Sequence, residues 1–352
     1  MPRGQLFGRR IRVTVGNIVV TDVDPAAPDE STRRSLDASF STESHTKLEP
    51  LPTEVTVYGL SEVVRTQLLA QQKAAAGQAW QQYQQVLNQS VLIEPEQAVQ
   101  FQSQLSFQGL QVRIEAGYQD DFGLIANATT MPNGIKHRYD GAGWVTTIKA
   151  QDNRYPWQNG FVNEPIAPGI TMLDWDTLMS LSEGFLEGTT GADVINAKFP
   201  ELLVRKDFAG YANGGVLAGQ NRDIETEMMT ALGLTRFVTA KGERVYLDLN
   251  AVTADEAVLL VTQGPQGVVP VPRPGGLLSY EEQSRGYFTA TTLLNYKCTS
   301  GRQVILQDEL GVPIGVGVFR IDHVRHTGSS FDGTYYSELM LRPTLIPQAF
   351  NV

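Results

Sequence analysis

TTLLNYK (Thr291–Lys297), QVILQD (Gln303–Asp308), IGVGVFRIDHVRHTG (Ile314–Gly328) and TYYSELMLRP (Thr334–Pro343) follow one another near the end of the chain. Ser300-Gly301, Gly311 and Asp332-Gly333 separate them. Short β-branched and aromatic runs punctuated by Gly, Asp and Ser read as antiparallel strands joined by tight turns. A looser version of the same order opens the chain: RIRVTVGNIVVTDV (Arg10–Val23), EVTVYGL (Glu54–Leu60), LQVRIEAGY (Leu110–Tyr118), the turn QDDFG, LIANATT and then GWVTTIKAQD (Gly143–Asp152). The fold class is therefore mainly β with an α/β middle. Two antiparallel β-barrel modules, residues 1–152 and 251–352, bracket a smaller mixed domain at 153–250, and a helix is inserted in the first module at 61–89.

The 352 residues are enough for two or three domains with sizeable cores. Apolar residues make up 41% and charged ones 19%, which suits a folded protein with a polar surface. A net charge of −10 argues against tight binding to a phosphate backbone, because that affinity comes from Lys and Arg displacing counterions. The same acidity suits a surface that nucleic acid passes without sticking. Cys298 is the single cysteine, so an intramolecular disulfide and a Cys-rich zinc site are excluded. The opening MPRGQLFGRRIRVTV has basic residues but no apolar signal-peptide core, and no run approaches a membrane span. The expectation is a soluble chain made in the cytoplasm.

Between Ser61 and about Gln89 the composition turns abruptly to Gln, Ala and Leu. Ser61 stands where a helix N-cap belongs. Val64, Leu68, Ala75, Ala79, Tyr83 and Val86 recur at helical spacing, with Gln72 in the one polar slot. A narrow apolar stripe of this length calls for a partner, either the chain's own barrel or a helix of another subunit. Val64, Leu68, Ala79 and Tyr83 are the candidate interface residues. Further strands are expected at Leu36–Glu43 and Gln97–Phe107.

In the middle segment, Leu173–Leu186, Asp193–Phe199 and Asp223–Leu234 read as helices, and RFVTAKGERVYLDL as strand, turn, strand. YANGGVLAG (Tyr211–Gly219) lacks the G-x-x-x-x-G-K-[ST] pattern of a phosphate loop and reads as a flexible connector.

No constellation of catalytic residues stands out. His323 and His326 form H-x-x-H, but on a strand positions i and i+3 face opposite ways and cannot share one ion. Gly315-Val316-Gly317 lies within a strand and reads as a bulge or a close backbone contact rather than a dinucleotide fingerprint. Asp120, Asp121 and Gly123 read as turn formers. There is no G-x-S-x-G elbow, and the four histidines have no evident Ser or Cys partner. No catalytic, cofactor or metal residue is assigned.

The segments EVTVYGLSEVVRTQL, VRIEAGYQDDFGLIANATT and WVTTIKAQD resemble the first barrel of central baseplate hub proteins of tailed phages and related contractile injection systems. TTLLNYKCTSGRQVILQD followed by GVFRIDHVRHTGSSFDGTYYSELMLRP is similar to the second barrel of that family. The Gln/Ala-rich helix at Ser61–Gln89 interrupts the first barrel, and the resemblance does not extend to an alignment of the middle segment. The resemblance implies two tail-tube-like barrels per chain and a homotrimer that forms a pseudo-sixfold ring. It implies a non-enzymatic adapter between a sixfold tail tube protein and a threefold spike protein, touching baseplate wedge or sheath-associated proteins. DNA would pass through the ring transiently and without specific contacts. Such a chain belongs in the virion, in its tail or baseplate, after assembly in the host cytoplasm. Duplication fits the physics of rings, because three chains with two similar modules offer six quasi-equivalent positions and pair edges that would otherwise aggregate. Three chains of −10 carry −30, so an acidic or neutral bore is expected. The readings from other classes are a β-rich receptor- or carbohydrate-binding tail-tip module, for which Tyr155-Pro156-Trp157 is the compact aromatic candidate, and a tail-associated cell-wall hydrolase.

Overall fold

The computed structural model describes residues 8–23, 36–46, 51–89, 109–118, 121–151, 161–166, 215–220, 234–239, 244–248, 256–262, 276–283, 287–308 and 310–344, with isolated positions between them. The first half contributes β1 (Arg9–Val15), β2 (Ile18–Val23), β3 (Ala38–His45), β4 (Pro52–Tyr58), α1 (Glu62–Gln89), β5 (Gln111–Tyr118), β6 (Asp121–Tyr139) and β7 (Trp144–Gln151). The middle holds two antiparallel pairs, β8 (Phe161–Ile166) with β9 (Gly215–Gln220) and β10 (Leu234–Val238) with β11 (Arg244–Asp248). The last part supplies β12 (Val258–Thr262), β13 (Gly276–Glu282), β14 (Phe288–Leu293), β15 (Gln303–Gln307), β16 (Pro313–Ser329) and β17 (Tyr335–Pro343). Helix α1 is the one helix among the described elements.

The C-terminal strands close on themselves. Their order β15-β12-β13-β14-β17-β16 is completed by pairing of β15 with β16, so six strands form a barrel without a free edge. Alternation fills it: Val304 and Leu306 on β15, Phe288 and Ala290 on β14 and Leu339 and Leu341 on β17 point into one core with Phe319 and Ile321. The turn after Ser300 needs Gly301 at φ +82, a left-handed conformation that glycine adopts without a Cβ clash.

The N-terminal strands do something different. Among the described residues, β3-β4-β7-β6-β5-β1-β2 continue outward from β16 as part of the same 13-stranded sheet. They curl around a second core in which Ile11, Val13, Val55, Val57, Ile114 and Ile148 are fully buried. Among the described residues one barrel is closed, and it shares a strand edge with the curled sheet of the N-terminal half. The physical reason is the length of β16, about 55 Å for its 17 residues at the rise of a strand. Its first half pairs with β15 through Pro313–Arg320, and the same edge is then free to take β3 through His323–Ser329.

Three other readings change. Gly215–Gln220, overlapping the stretch read as a flexible connector, is strand β9, because Val216, Leu217 and Ala218 pair with β8. Strands β12 and β13, which complete the barrel, had no counterpart among the expected elements. Strand β6 runs for 19 residues, well beyond LIANATT, with a register shift between Thr130 and Ile135. Gln97–Phe107 and the helices at Leu173–Leu186 and Asp193–Phe199 lie outside the described residues; of Asp223–Leu234, positions Asp223 and Thr226 are helical.

Candidate assembly surfaces

Register places one side of the central strands in rows. Glu338 on β17, Arg325 on β16 and Glu43 on β3 lie side by side, and the Arg325 Nε stands 3.6 Å from the Glu43 carboxylate. The next row is Tyr336, Thr327, Ser41, Glu54 and Lys149. A third is Ser39, Thr56, Thr147 and Lys136. The opposite side of these strands carries Phe40, Val55, Val57, Ile148, Val324 and Leu339, all in the cores. Six adjacent strands from both halves of the chain thus present one polar face. Within these rows the carboxylates Glu43, Glu54 and Glu338 are matched by Arg325, Lys136 and Lys149; the same face also carries Arg138, two residues beyond Lys136, and His323 opposite Met340.

The two halves are stapled where this face crosses between them. Tyr335 on β17 is 2% exposed and lies in the core of the N-terminal half, edge-on to Tyr118 at 5.3 Å. Its hydroxyl accepts from Gly117 N at 2.9 Å and has Arg10 O and Gly117 O at 2.7 and 2.8 Å to donate to. Burial pushes the Tyr335 phenol far up from its ordinary value and that of Tyr118 up to about 12, so both stay neutral. The Arg9 guanidinium reaches Asp332 O at 2.6 Å, Ser44 Oγ donates to Ser300 Oγ at 2.9 Å, and Lys297 pairs with Asp121 at 2.9 Å. The β10–β11 hairpin adds a strap, since Thr235 donates through its hydroxyl to Thr46 O.

The histidines separate as strand periodicity requires. His326 turns inward and is 3% exposed, while His323 lies on the other face near Glu43 at 3.5 Å and His45. His326 Nε2 meets Cys298 O at 3.1 Å; a carbonyl only accepts, so the ring proton sits on Nε2. Nδ1 therefore accepts from Ser337 Oγ at 2.8 Å. Burial holds this ring down at about 4 and lifts the enclosed Cys298 thiol up to about 12, which makes both packing groups rather than reactive ones. Among the described residues no group of three or more His, Cys, Asp or Glu is placed to hold a metal ion. Asp121 opens β6 opposite Tyr118, and Gly315 and Gly317 sit where β15 and β16 shift register.

No family model matches the sequence, and no curated protein matches it. Among solved structures, the tail protein of Neisseria meningitidis MC58 superposes with a TM-score of 0.53 at 11% identity, covering 95% of this chain and 96% of that one. The chain has the fold of a tail protein. A component of the Escherichia coli type VI secretion system gives a TM-score of 0.49 at 8% identity, covering 95% of this chain and 77% of that one. A 43 kDa tail protein of prophage MuSo2 from Shewanella oneidensis gives 0.46 at 8% identity, with 95% and 98% covered.

Within this tail-protein fold, the helix candidates fall in two groups. Ser61 caps α1, its hydroxyl accepting from Val64 N at 3.4 Å. Leu68 is fully buried in the core of the N-terminal half, with Val64 packed against it, so Leu68 has no surface left for a partner. Ala79 and Tyr83 lie further along α1, where side chains are outside the described residues. Tyr155-Pro156-Trp157 is also outside them. An aromatic pair that sequence reading missed is Tyr139 and Trp144, 60% and 39% exposed across the β6–β7 turn, with the Arg65 guanidinium 3.7 Å above the indole. Five residues apart on opposite arms of a hairpin, they become neighbours only through register. Among the described residues no helix is long and apolar enough to cross a membrane.

Proposed function

We propose that the chain is a structural hub of a phage-type tail or baseplate. Three copies form a pseudo-sixfold ring that joins a sixfold tail tube to a threefold spike, in contact with wedge or sheath-associated proteins. The observation that carries this reading is the fusion of a closed barrel and a curled sheet through β16 and β3, which leaves a single polar face running across both. In a ring, that face lines the bore. Its hydroxyls and its mix of carboxylates and cations offer little net attraction to phosphates, so DNA slides past without being held. Strand β2 pairs only with β1 among the described elements and ends the sheet order. An edge of this kind is a natural place for a neighbouring copy. The staple at Tyr335 keeps the two halves of each protomer at a constant angle, which closure of a ring requires. The role is architectural and assigns no catalytic step; the chain acts in the virion tail.

Electron-microscope images and mass measurement of the chain within assembled tails test the proposal. A threefold ring with a hole is expected, and a strictly monomeric chain in the particle refutes it. The exposed Tyr139–Trp144 pair favours, as a second reading, a receptor- or carbohydrate-binding module. Glycan binding lost on Trp144→Ala, with no ring formed, would select it.

A further inference from the structure

The turns before β14 and β16 lie at the same end of the barrel. Both strands run antiparallel to β17, whose Leu341 lies opposite Phe288, the first residue of β14, and whose Pro343 lies opposite Phe319, within β16. At this end Leu310 is 82% exposed, more than any other large apolar side chain among the described residues, and Val312, Val316 and Tyr287 are 54%, 51% and 38% exposed.

This tip is held rigid. Asp308 Oδ1 accepts from Leu310 N at 2.9 Å and Val312 N at 2.8 Å, and Asp308 N donates to Val312 O at 2.9 Å. Gly315, at φ +62, packs so closely that a Cβ there would stand 2.7 Å from the Phe288 ring. The neighbouring turn is closed by Gln283 N donating to Tyr287 O at 2.6 Å. An apolar side chain displayed on a locked turn is not covered by local collapse, and docking it costs little ordering entropy.

Among the described residues this end of the barrel is acidic. Glu281 and Glu282 are exposed at the end of β13, and Asp308 lies beneath the tip. The cation that reaches this end among the described residues, Arg342, stands over the Tyr287 ring and is bonded to Asp322 at 2.7 Å. Arg285, in the same turn by sequence, lies outside the described residues.

We infer that the β15–β16 tip, with Leu310, Val312 and Val316 at the same end of the barrel as Glu281 and Glu282, is a preformed docking surface for a partner protein that offers an apolar patch rimmed by Lys or Arg. The inference stands on the geometry and charge of the tip and is independent of the ring. Complementarity names the partner's chemistry: an apolar centre to cover Leu310, with cations placed for the two glutamates.

A synthetic amphipathic Leu/Lys helical peptide serves as the probe, titrated into the full-length chain by fluorescence anisotropy at two salt concentrations. Wild type is expected to bind it, and Leu310→Asp to bind at least tenfold more weakly with an unchanged melting temperature. Non-specific attraction to an acidic chain predicts the reverse, because Leu310→Asp adds a negative charge. Glu281→Gln with Glu282→Gln is expected to lower affinity and flatten its salt dependence. Equal or tighter binding by Leu310→Asp overturns the inference. So does light scattering in which Leu310→Asp dissolves an oligomer of the wild-type chain, since the occupant would then be a second copy.

Discussion

Protonating His326 should unfasten the barrel. The ring is buried, its Nε2–H is committed to Cys298 O at 3.1 Å and its Nδ1 accepts from Ser337 Oγ at 2.8 Å. A second ring proton would have to displace the Ser337 hydrogen and place a charge among apolar neighbours. The folded state therefore titrates at about 4, below the ordinary 6.5. The unfolded chain takes up the proton first, so the stability tied to neutral His326 is complete above about pH 6.5 and declines as pH falls toward 4. Lowering the ring from 6.5 to about 4 is worth roughly 3.5 kcal/mol, lost in full only below pH 4. Urea unfolding measured at intervals from about pH 7.5 to 4 follows this directly through the midpoint and slope. His326→Asn retains hydrogen-bonding capacity without a titrating ring; it is less stable at neutral pH but loses less on acidification. The wild-type minus variant difference removes the contributions of the carboxylates and of His45, His137 and His323. Parallel pH profiles for the two proteins would refute the reasoning.

Tyr335→Phe deletes the hydroxyl that satisfies Gly117 N and leaves buried backbone groups unpaired, a loss of about 1–3 kcal/mol seen as a lower melting temperature. If the hydroxyl is the staple between the halves, hydrogen exchange should quicken in β1, β5 and the start of β17 together; acceleration in β17 alone would contradict that. Leu68→Ala opens a cavity in the N-terminal core and should cost about 2–5 kcal/mol in the isolated chain, without any partner present. An unchanged unfolding midpoint would return Leu68 to an intersubunit role.

Much of this was legible because strands and turns write themselves locally. Alternation in Ile11-Arg12-Val13 and Val55-Thr56-Val57, and the glycines at 301 and 311, determine extended segments and their ends through sterics and a two-residue period. The capped helix beginning at Ser61 is equally local. The sign of the chain's charge and the opposite facing of His323 and His326 also follow from composition and spacing alone. What the sequence left open concerns partners. Nothing in VLLVT or GLLSYEE says that they pair with each other in parallel and close a barrel. The 17-residue run of β16 does not announce that its edge changes partner halfway along. Pairing is a contest among distant backbones with identical donors and acceptors, decided by which cores fill best. The polar face, the Tyr335 staple and the Tyr139–Trp144 pair exist only once register is set. Leu68 shows the same limit: its helical spacing marked an apolar stripe, and only tertiary packing assigned that position to the chain's own core.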